Sequence, residues 1–422
     1  MTAVDRVVIH AAPGVSRVLF LRQGRVVEIW VDGDDMPSLI GGIALVTART
    51  AGGAAIADLP SGSGYIRDGR ANDGERLLVE VLRDSMADKR SVLRRRVELA
   101  GDGIVLTPFL AELGIASSIK AKGRRTAIRT AVQAELPAGV GAMVLDAARD
   151  LPAADIAKEA SRLVGLWRQI AERSEVRSPP CWLLSPPALE DRVRAHAPLA
   201  EIVTDRDGRL FRAAGGDEAL DRALARDVAV ADGVALVIEE AETATLIDVN
   251  LARSPRGDAL VRANTVAVAG VAAMARLRGL RGTLLIDLPR MRGAGDRGQV
   301  KTVLEEAVSD DSASWRILGW TPGGMLECLR ESPRRPLSME MLAPLGVRRL
   351  SVRARAWAAL DRLRLDVGGI ARPRLRVPVD VADWLGATGA PMLQAERQRL
   401  GALTVVADPE LGAEDAVVES DA

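Results

Sequence analysis

Two apolar runs, ATLIDVN at 244–250 and GTLLIDLPRM at 282–291, each carry an aspartate near their end, and one long helical segment separates them. Leucine and β-branched residues favour a buried strand, while an acid at the strand end can turn toward a cleft. Strand, helix and strand in this order predict a crossover connection that leaves the two strands parallel and adjacent. Neighbouring strands lie about 4.8 Å apart, so Asp248 and Asp287 are expected to emerge together at one sheet edge. Two close carboxylates repel unless a cation joins them. Magnesium takes one or two carboxylates and keeps several waters, so the pair predicts a divalent-metal seat suited to phosphate chemistry. The competing reading is that each acid only caps the turn that follows it. Asn250, beside the first aspartate, adds a polar neighbour.

The rest of the chain supplies the surroundings. Between 17 and 100, RVLFLR, RVVEIWVDG, GIALVTA, AAIADL and RLLVEVL read as five short strands, which fit an oligonucleotide-binding barrel. In 101–150, GRRTAIRTAVQAEL reads as a helix and GAMVLDAA as a strand and turn. Residues 151–230 read as largely helical with one buried strand, PPCWLLSP, bounded by prolines. VALVIEEAETATLIDVN reads as a hairpin that leads into Asp248. Beyond Met291, a helix in QVKTVLEEAV and a strand in SWRILGW complete an α/β layer.

With 422 residues, 48% of them hydrophobic, the chain can bury a large core and divide into two to four domains. MTAVDRVVIHAAPG lacks a basic region followed by an apolar core, and no run approaches the ~20 apolar residues of a membrane span. These features predict a cytoplasmic protein with no membrane partner. Cys181 and Cys328 have no partner at metal-binding spacing, which fits a reducing compartment. The only histidines, His10 and His196, read as core or surface residues rather than catalysts.

Net charge is zero and argues nothing about nucleic acid. Local charge argues more. Arg76, Arg83, Lys89, Arg90, Arg94, Arg95 and Arg96 gather within 73–101, and KAKGRRTAIR adds a second group at 120–129. Such a surface would steer RNA phosphates, although charge runs also simply solvate a surface. Base stacking, the usual means by which such a barrel holds single strands, has little to draw on: the chain is 3% aromatic, and Tyr65 is its one tyrosine.

TLIDVNLARSPRGD (245–258) and LLIDLPRM (284–291) resemble the two catalytic motifs of the bacterial ribonuclease E/G family. RVELAGDGIVLTPFLAELGIASSI (96–119), LVGLWRQI (163–170) and RVPVDVADWLGATG (376–389) are similar to further family passages, in the same order. The resemblance implies a mixed α/β chain of several subdomains. Its parts are a split ribonuclease-H-like domain with an inserted OB-type β-barrel, an α/β DNase-I-like catalytic subdomain and a small C-terminal α/β domain. The boundaries would be 1–16 and 151–233 for the ribonuclease-H-like part, 17–100 for the barrel and 101–150 for a degenerate 5′-sensor region. Residues 234–342 would be catalytic, 343–408 the small domain and 409–422 a flexible acidic tail. By the same resemblance Asp248 and Asp287 bind one Mg2+, Asn250 is their hydrogen-bonding companion, and Tyr65 and Lys89 contact RNA.

Several positions depart from the family pattern. Ile56 replaces one of two barrel aromatics, and Arg290 stands where the family often has an acid. Leu145 and Asp146 replace the arginine and threonine that grip a 5′-monophosphate, and Ser117 and Ser118 replace basic residues. This combination predicts no preference for a 5′-monophosphate. The family arginine before a phenylalanine-glycine pair is lost in Thr321-Pro322-Gly323-Gly324, and Arg253 or Arg256, both within the first motif, is expected to compensate, the two being expected RNA contacts. Ala343-Pro344-Leu345 replaces a Cys-Pro-x-Cys zinc link; thiolate ligation is excluded there, a zinc-linked tetramer is not implied, and a homodimer through the last domain stays open. Three function classes follow: an endoribonuclease on single-stranded RNA that is independent of the 5′ end, an RNA-binding relative with weakened or lost catalysis, and an interaction module without RNA.

Overall fold

The computed structural model describes residues 3–86, 89–231, 233–291, 293–343 and 349–421. Contacts divide the chain into two units: residues 1–37 with 196–422, and residues 38–195. The first three strands, β1 (Arg6–Ala12), β2 (Val15–Arg22) and β3 (Arg25–Gly33), form an antiparallel meander. Its turns pass through Gly14 and Gly24 at φ 71° and 74°, a region that glycine enters without a Cβ clash.

The second unit opens with a barrel of β4 (Ile43–Ala51), β5 (Ala54–Asp58), β6 (Ser63–Ile66), β7 (Arg76–Arg83) and β8 (Ser91–Arg94). The order β4-β5-β6-β8-β7 closes through a β7 to β4 pairing, giving an OB-like five-stranded barrel. Ala44, Val46, Ala57, Ile66, Val79, Val81 and Leu93 fill its interior. Two short strands, β9 (Leu99–Ala100) and β10 (Ile104–Thr107), then join β11 (Leu113–Ile115) and β12 (Gly141–Val144) in a small sheet. Helix α1 (Lys122–Glu135) connects the last two and lies against α2 (Ala153–Val176). Strand β13 (Cys181–Leu184) returns to pair with β4, and α3 (Leu189–His196) follows.

In the first unit, β14 (Glu201–Asp205) lies parallel to β1 and completes the order β14-β1-β2-β3. Helices α4 (Arg209–Ala213) and α5 (Gly216–Leu224) lead to β15 (Asp227–Ala231), β16 (Val234–Glu240) and β17 (Ala244–Leu251). Helix α6 (Asp258–Arg278) crosses to β18 (Gly282–Asp287), and α7 (Ala294–Ala307), β19 (Ser314–Trp320) and β20 (Leu326–Glu331) complete a six-stranded sheet of order β15-β16-β17-β18-β20-β19. Helices α8 (Leu337–Met341) and α9 (Val352–Asp366) precede a three-stranded sheet. That sheet contains β21 (Pro373–Val377), β22 (Thr404–Ala407) and β23 (Val417–Ser420), with α10 (Val379–Gly386) and α11 (Ala390–Leu400) between its first two strands.

The structure moves three sequence expectations. RVLFLR and RVVEIWVDG are β2 and β3 of the first sheet, so the barrel begins at β4 rather than at residue 17, and β6 and β8 take their places. Their burial explains it: residues 18–21 and 29–31 are continuously buried, as suits a strand covered on both faces. Within 409–422, expected as a flexible tail, Val417–Ser420 forms β23 in register with β21, with Val418 opposite Leu375 and an Arg374–Asp421 ion pair. Helix α6 is long and apolar enough to cross a bilayer, contrary to the sequence reading; half of that apolar stretch is buried inside the protein. It packs on β3, β15, β16 and α7.

Among the buried polar clusters of this unit, the one around Glu28 ties β3 to α6. Glu28 on β3 accepts a hydrogen bond from Trp30 Nε1 at 2.7 Å, while His196 Nε2 lies 3.0 Å and Arg276 Nε 3.2 Å from its other oxygen. Burial alone would raise the Glu28 pKa, but the His196 hydrogen bond, the charges of His196 and Arg276 and the Trp30 bond outweigh it and bring it to about 2. An acid with a depressed pKa stabilises the fold above its unfolded value, and that contribution disappears as pH falls through the folded value. The thermal stability of the wild type should therefore fall steeply as pH drops from ~4.5 to ~2. Glu28→Gln should lose about 3 kcal/mol near neutral pH and show a flatter acid limb, read by calorimetry across that range.

Candidate active site

The β17-α6-β18 crossover builds the site. Along β17, Thr245, Ile247 and Val249 are buried, whereas Leu246, Asp248 and Asn250 face outward. Along β18, Leu284 and Ile286 are buried and Asp287 is exposed. The period of two thus puts both aspartates on the open face. The strands are parallel, and their register pairs Asp248 directly with Asp287. Gly279, left-handed at φ 64°, ends α6 and lets the chain turn back into β18.

A third strand-end acid shows what a purely structural aspartate does here. Asp205, at the end of β14, is 3% exposed and accepts hydrogen bonds from the backbone N–H of Gly208 at 3.0 Å and Phe211 at 2.8 Å. Its charge is satisfied by the turn it caps. Asp248 instead accepts, among the described residues, only from the Asn250 side chain, Nδ2 to Oδ2 at 3.1 Å. Asp287 makes no hydrogen bond or ion pair among the described residues. The capping explanation therefore fails for both, and the two aspartates stand side by side on one exposed face with no basic partner among the described residues.

That donor set fits a hard cation that keeps several waters. Among the described residues no group of three or more histidines, cysteines, aspartates or glutamates is placed to hold a metal. A closed site of the structural zinc type is accordingly not formed by them. Arg253 and Arg256 are exposed on the loop between β17 and α6 and form no ion pair among the described residues. Gly257 closes this loop at φ 54°, ψ −136°, a conformation open to glycine alone. Arg290, three residues after Asp287, is exposed. The Thr321–Met325 turn is held by its own bonds, Gly324 N–H to Thr321 O at 2.9 Å and Met325 N–H to Thr321 Oγ1 at 3.1 Å, and contains no cation.

Neither histidine is available as a base. His10 is 1% exposed, stacks near Phe211, and has its pKa lowered by burial. His196 is engaged by Glu28. The sequence carries one further signal that motif reading passes over. Asn264 interrupts an apolar helical stripe and is fully buried beside the loop that follows Asp287.

In the barrel, Tyr65 on β6 is 42% exposed. Its neighbours in register are Ile56 on β5 and Val92 on β8, so the two positions compared above do share one face. Lys89 pairs with Met86 through the backbone in the β7–β8 connection and is exposed. The basic group is smaller than the sequence suggests. Arg76 donates to the carbonyls of Ser174 and Arg177 at the end of α2, Arg94 binds Glu80 and Glu98, and Arg95 binds Glu75. Arg124 and Arg125 likewise bind backbone carbonyls, including Ala148 at 3.0 Å and Ala116 at 2.9 Å. In the small sheet region, Ser118 donates to Asp146, so two of the altered sensor positions satisfy each other.

Residues 98–206 and 188–332 match the sequence model described as the ribonuclease E/G family. Ribonuclease G of Salmonella typhimurium (strain SL1344) is 25% identical over 295 residues, covering 62% of this chain and 60% of that protein. Ribonuclease G of Escherichia coli (strain K12) is 24% identical over the same length. Ribonuclease E of Haemophilus influenzae is 25% identical over 369 residues, 76% of this chain and 40% of that protein. The chain thus aligns with about 60% of the length of the ribonuclease G relatives it matches.

The contrast between the strand-end acids gives a stability test. Asp205→Asn weakens the acceptors of a buried cap and should cost about 1–3 kcal/mol. Asp287→Asn removes no bond and should change stability by less than about 0.5 kcal/mol. Denaturant titration of the two proteins compares them directly.

Proposed function

Since this chain belongs to the ribonuclease E/G family, we propose that it is a magnesium-dependent endoribonuclease that hydrolyses phosphodiester bonds in single-stranded RNA. The observation that carries the reading is the in-register pairing of Asp248 with Asp287 on an open sheet face, with neither carboxylate used as a cap. Asp248 and Asp287 are the residues that would hold the ion. Magnesium, when bound, supplies Lewis acidity and lowers the pKa of a coordinated water. Asn250 keeps one Asp248 oxygen oriented through its amide N–H. Arg253 and Arg256 attract the phosphate chain and offset its charge as the bond is cleaved. No histidine takes part, in keeping with the buried state of His10 and the engagement of His196.

Tyr65 offers one stacking surface and Lys89 a charge on the barrel, while Ile56 beside Tyr65 offers only apolar contact. A base stacked on an aromatic contributes about 1–3 kcal/mol, so RNA is held more weakly than on two aromatics. Cleavage is independent of the 5′ end, a reading supported by the acid at Asp146, which accepts a hydrogen bond from Ser118. The working site is cytoplasmic and uses one Mg2+ and no zinc. Of the zinc-link segment, Pro344 and Leu345 lie outside the described residues; its composition offers no thiolate. A homodimer through the C-terminal domain is compatible with this reading. The cation-free turn at Thr321–Gly324 favours one second reading, an RNA-binding relative with weakened catalysis.

Incubation of a short A/U-rich single-stranded RNA with magnesium or EDTA tests the proposal. Cleavage should require magnesium and fall roughly 100-fold or more in Asp248→Asn and Asp287→Asn; RNA bound but uncut by the wild type selects the second reading. Substrates with 5′-hydroxyl and 5′-monophosphate ends should be cut at equal rates, and a large monophosphate advantage would overturn the end-independent assignment. Tyr65→Ala should weaken RNA binding about tenfold in EDTA, and Ile56→Phe should tighten it.

A further inference from the structure

Helix α6 buries the stripe Val261, Val268, Val271 and Ala275 at spacings of three, four and seven residues, and Asn264 occupies the position on that stripe where an apolar side chain belongs. Asn264 is 0% exposed. Its Nδ2 donates to the Pro289 carbonyl at 2.9 Å, across 25 residues of sequence. Its Oδ1 has no hydrogen-bond partner among the described residues. A buried amide half satisfied in this way destabilises the core relative to a leucine of similar volume. A break in local pattern with no stabilising return is the mark of a functional constraint.

The bond falls at a telling place. Pro289 lies two residues beyond Asp287, and its neighbours Leu288 and Met291 are buried. Proline has no N–H, so the carbonyl is the only backbone group it has for fixing the loop. We propose that Asn264 is a positioning residue: its amide clamps the loop after β18 onto α6 and so fixes the Asp287 carboxylate opposite Asp248. The inference rests on the assignment of Asp248 and Asp287 as the metal seat. Helix α6 then governs both halves of that seat, through Gly257 at its start, which closes the loop after β17, and through Asn264 two turns later. Partners that orient metal ligands from outside the coordination shell typically change metal affinity ~10–100-fold when lost.

The test compares Asn264→Leu, Asn264→Ala and Asp287→Asn with the wild-type chain. Hydrogen exchange of the backbone at 287–291 reports the clamp without metal or RNA. Manganese binding, followed by loss of the free-ion paramagnetic resonance signal, reports the seat without catalysis. Both Asn264 variants should exchange faster at 287–291 alone, and should need about tenfold more manganese for binding and magnesium for cleavage. Saturating magnesium should restore their cleavage, and RNA affinity in EDTA should stay unchanged. Alanine, which adds no bulk, decides the matter should leucine disturb the helix. Unchanged exchange at 287–291, or wild-type metal dependence, would overturn the inference. Magnesium-dependent cleavage that survives in Asp287→Asn would instead overturn the metal-seat assignment itself, whatever the exchange at 287–291 shows.

Discussion

Like charges in register on adjacent strands are unfavourable, and most sheets avoid them. Here β17 and β18 hold Asp248 beside Asp287, and the first unit is organised so that the pairing persists. Parallel strands require a crossover, and α6 supplies it with a face of valine and alanine that anchors the pair to the core. The strands outside the pair, β16 and β20, run antiparallel to it and lock the register from both sides. Hydrophobic burial along one face therefore stabilises an electrostatic arrangement on the other that would not form alone.

The second unit solves a different problem. Its arginines are used largely as internal ties: Arg76 closes the end of α2, Arg124 and Arg125 gather loop carbonyls, and Arg94 and Arg95 fasten barrel strands to neighbouring acids. The guanidinium group suits this role because it presents five donors in a fixed plane and never loses its charge. Arg90 and Arg96 of the same stretch are exposed and form no ion pair among the described residues. The zero net charge of the sequence conceals this division of labour.

Much of the candidate site was legible because its logic is local. A periodic strand, a long helix and a second strand constrain one another, and the crossover rule then places Asp248 and Asp287 side by side. The barrel boundary was not legible, since RVLFLR has the same pattern whether its neighbour is β1 or a barrel strand. Only non-local pairing distinguishes them. For the same reason Val417 and Val418 read as part of an acidic tail until β21 supplies a partner. The role of Asn264 needs both levels at once, an irregular residue in the helical stripe and the position of Pro289 in space.

Helix α6 carries a last consequence. Before the sheet forms, a growing chain presents a 21-residue segment apolar enough to enter lipid. Arg262, Arg276 and Arg278 oppose that route, each adding ~2.5–3.5 kcal/mol to insertion when near the middle of a span and less toward its ends. In the folded protein Arg276 meets Glu28 and Arg278 meets the Ala225 carbonyl. Two of the three side chains that make lipid a poor destination are thus absorbed by the core of the folded protein, while Arg262 stays exposed at its surface.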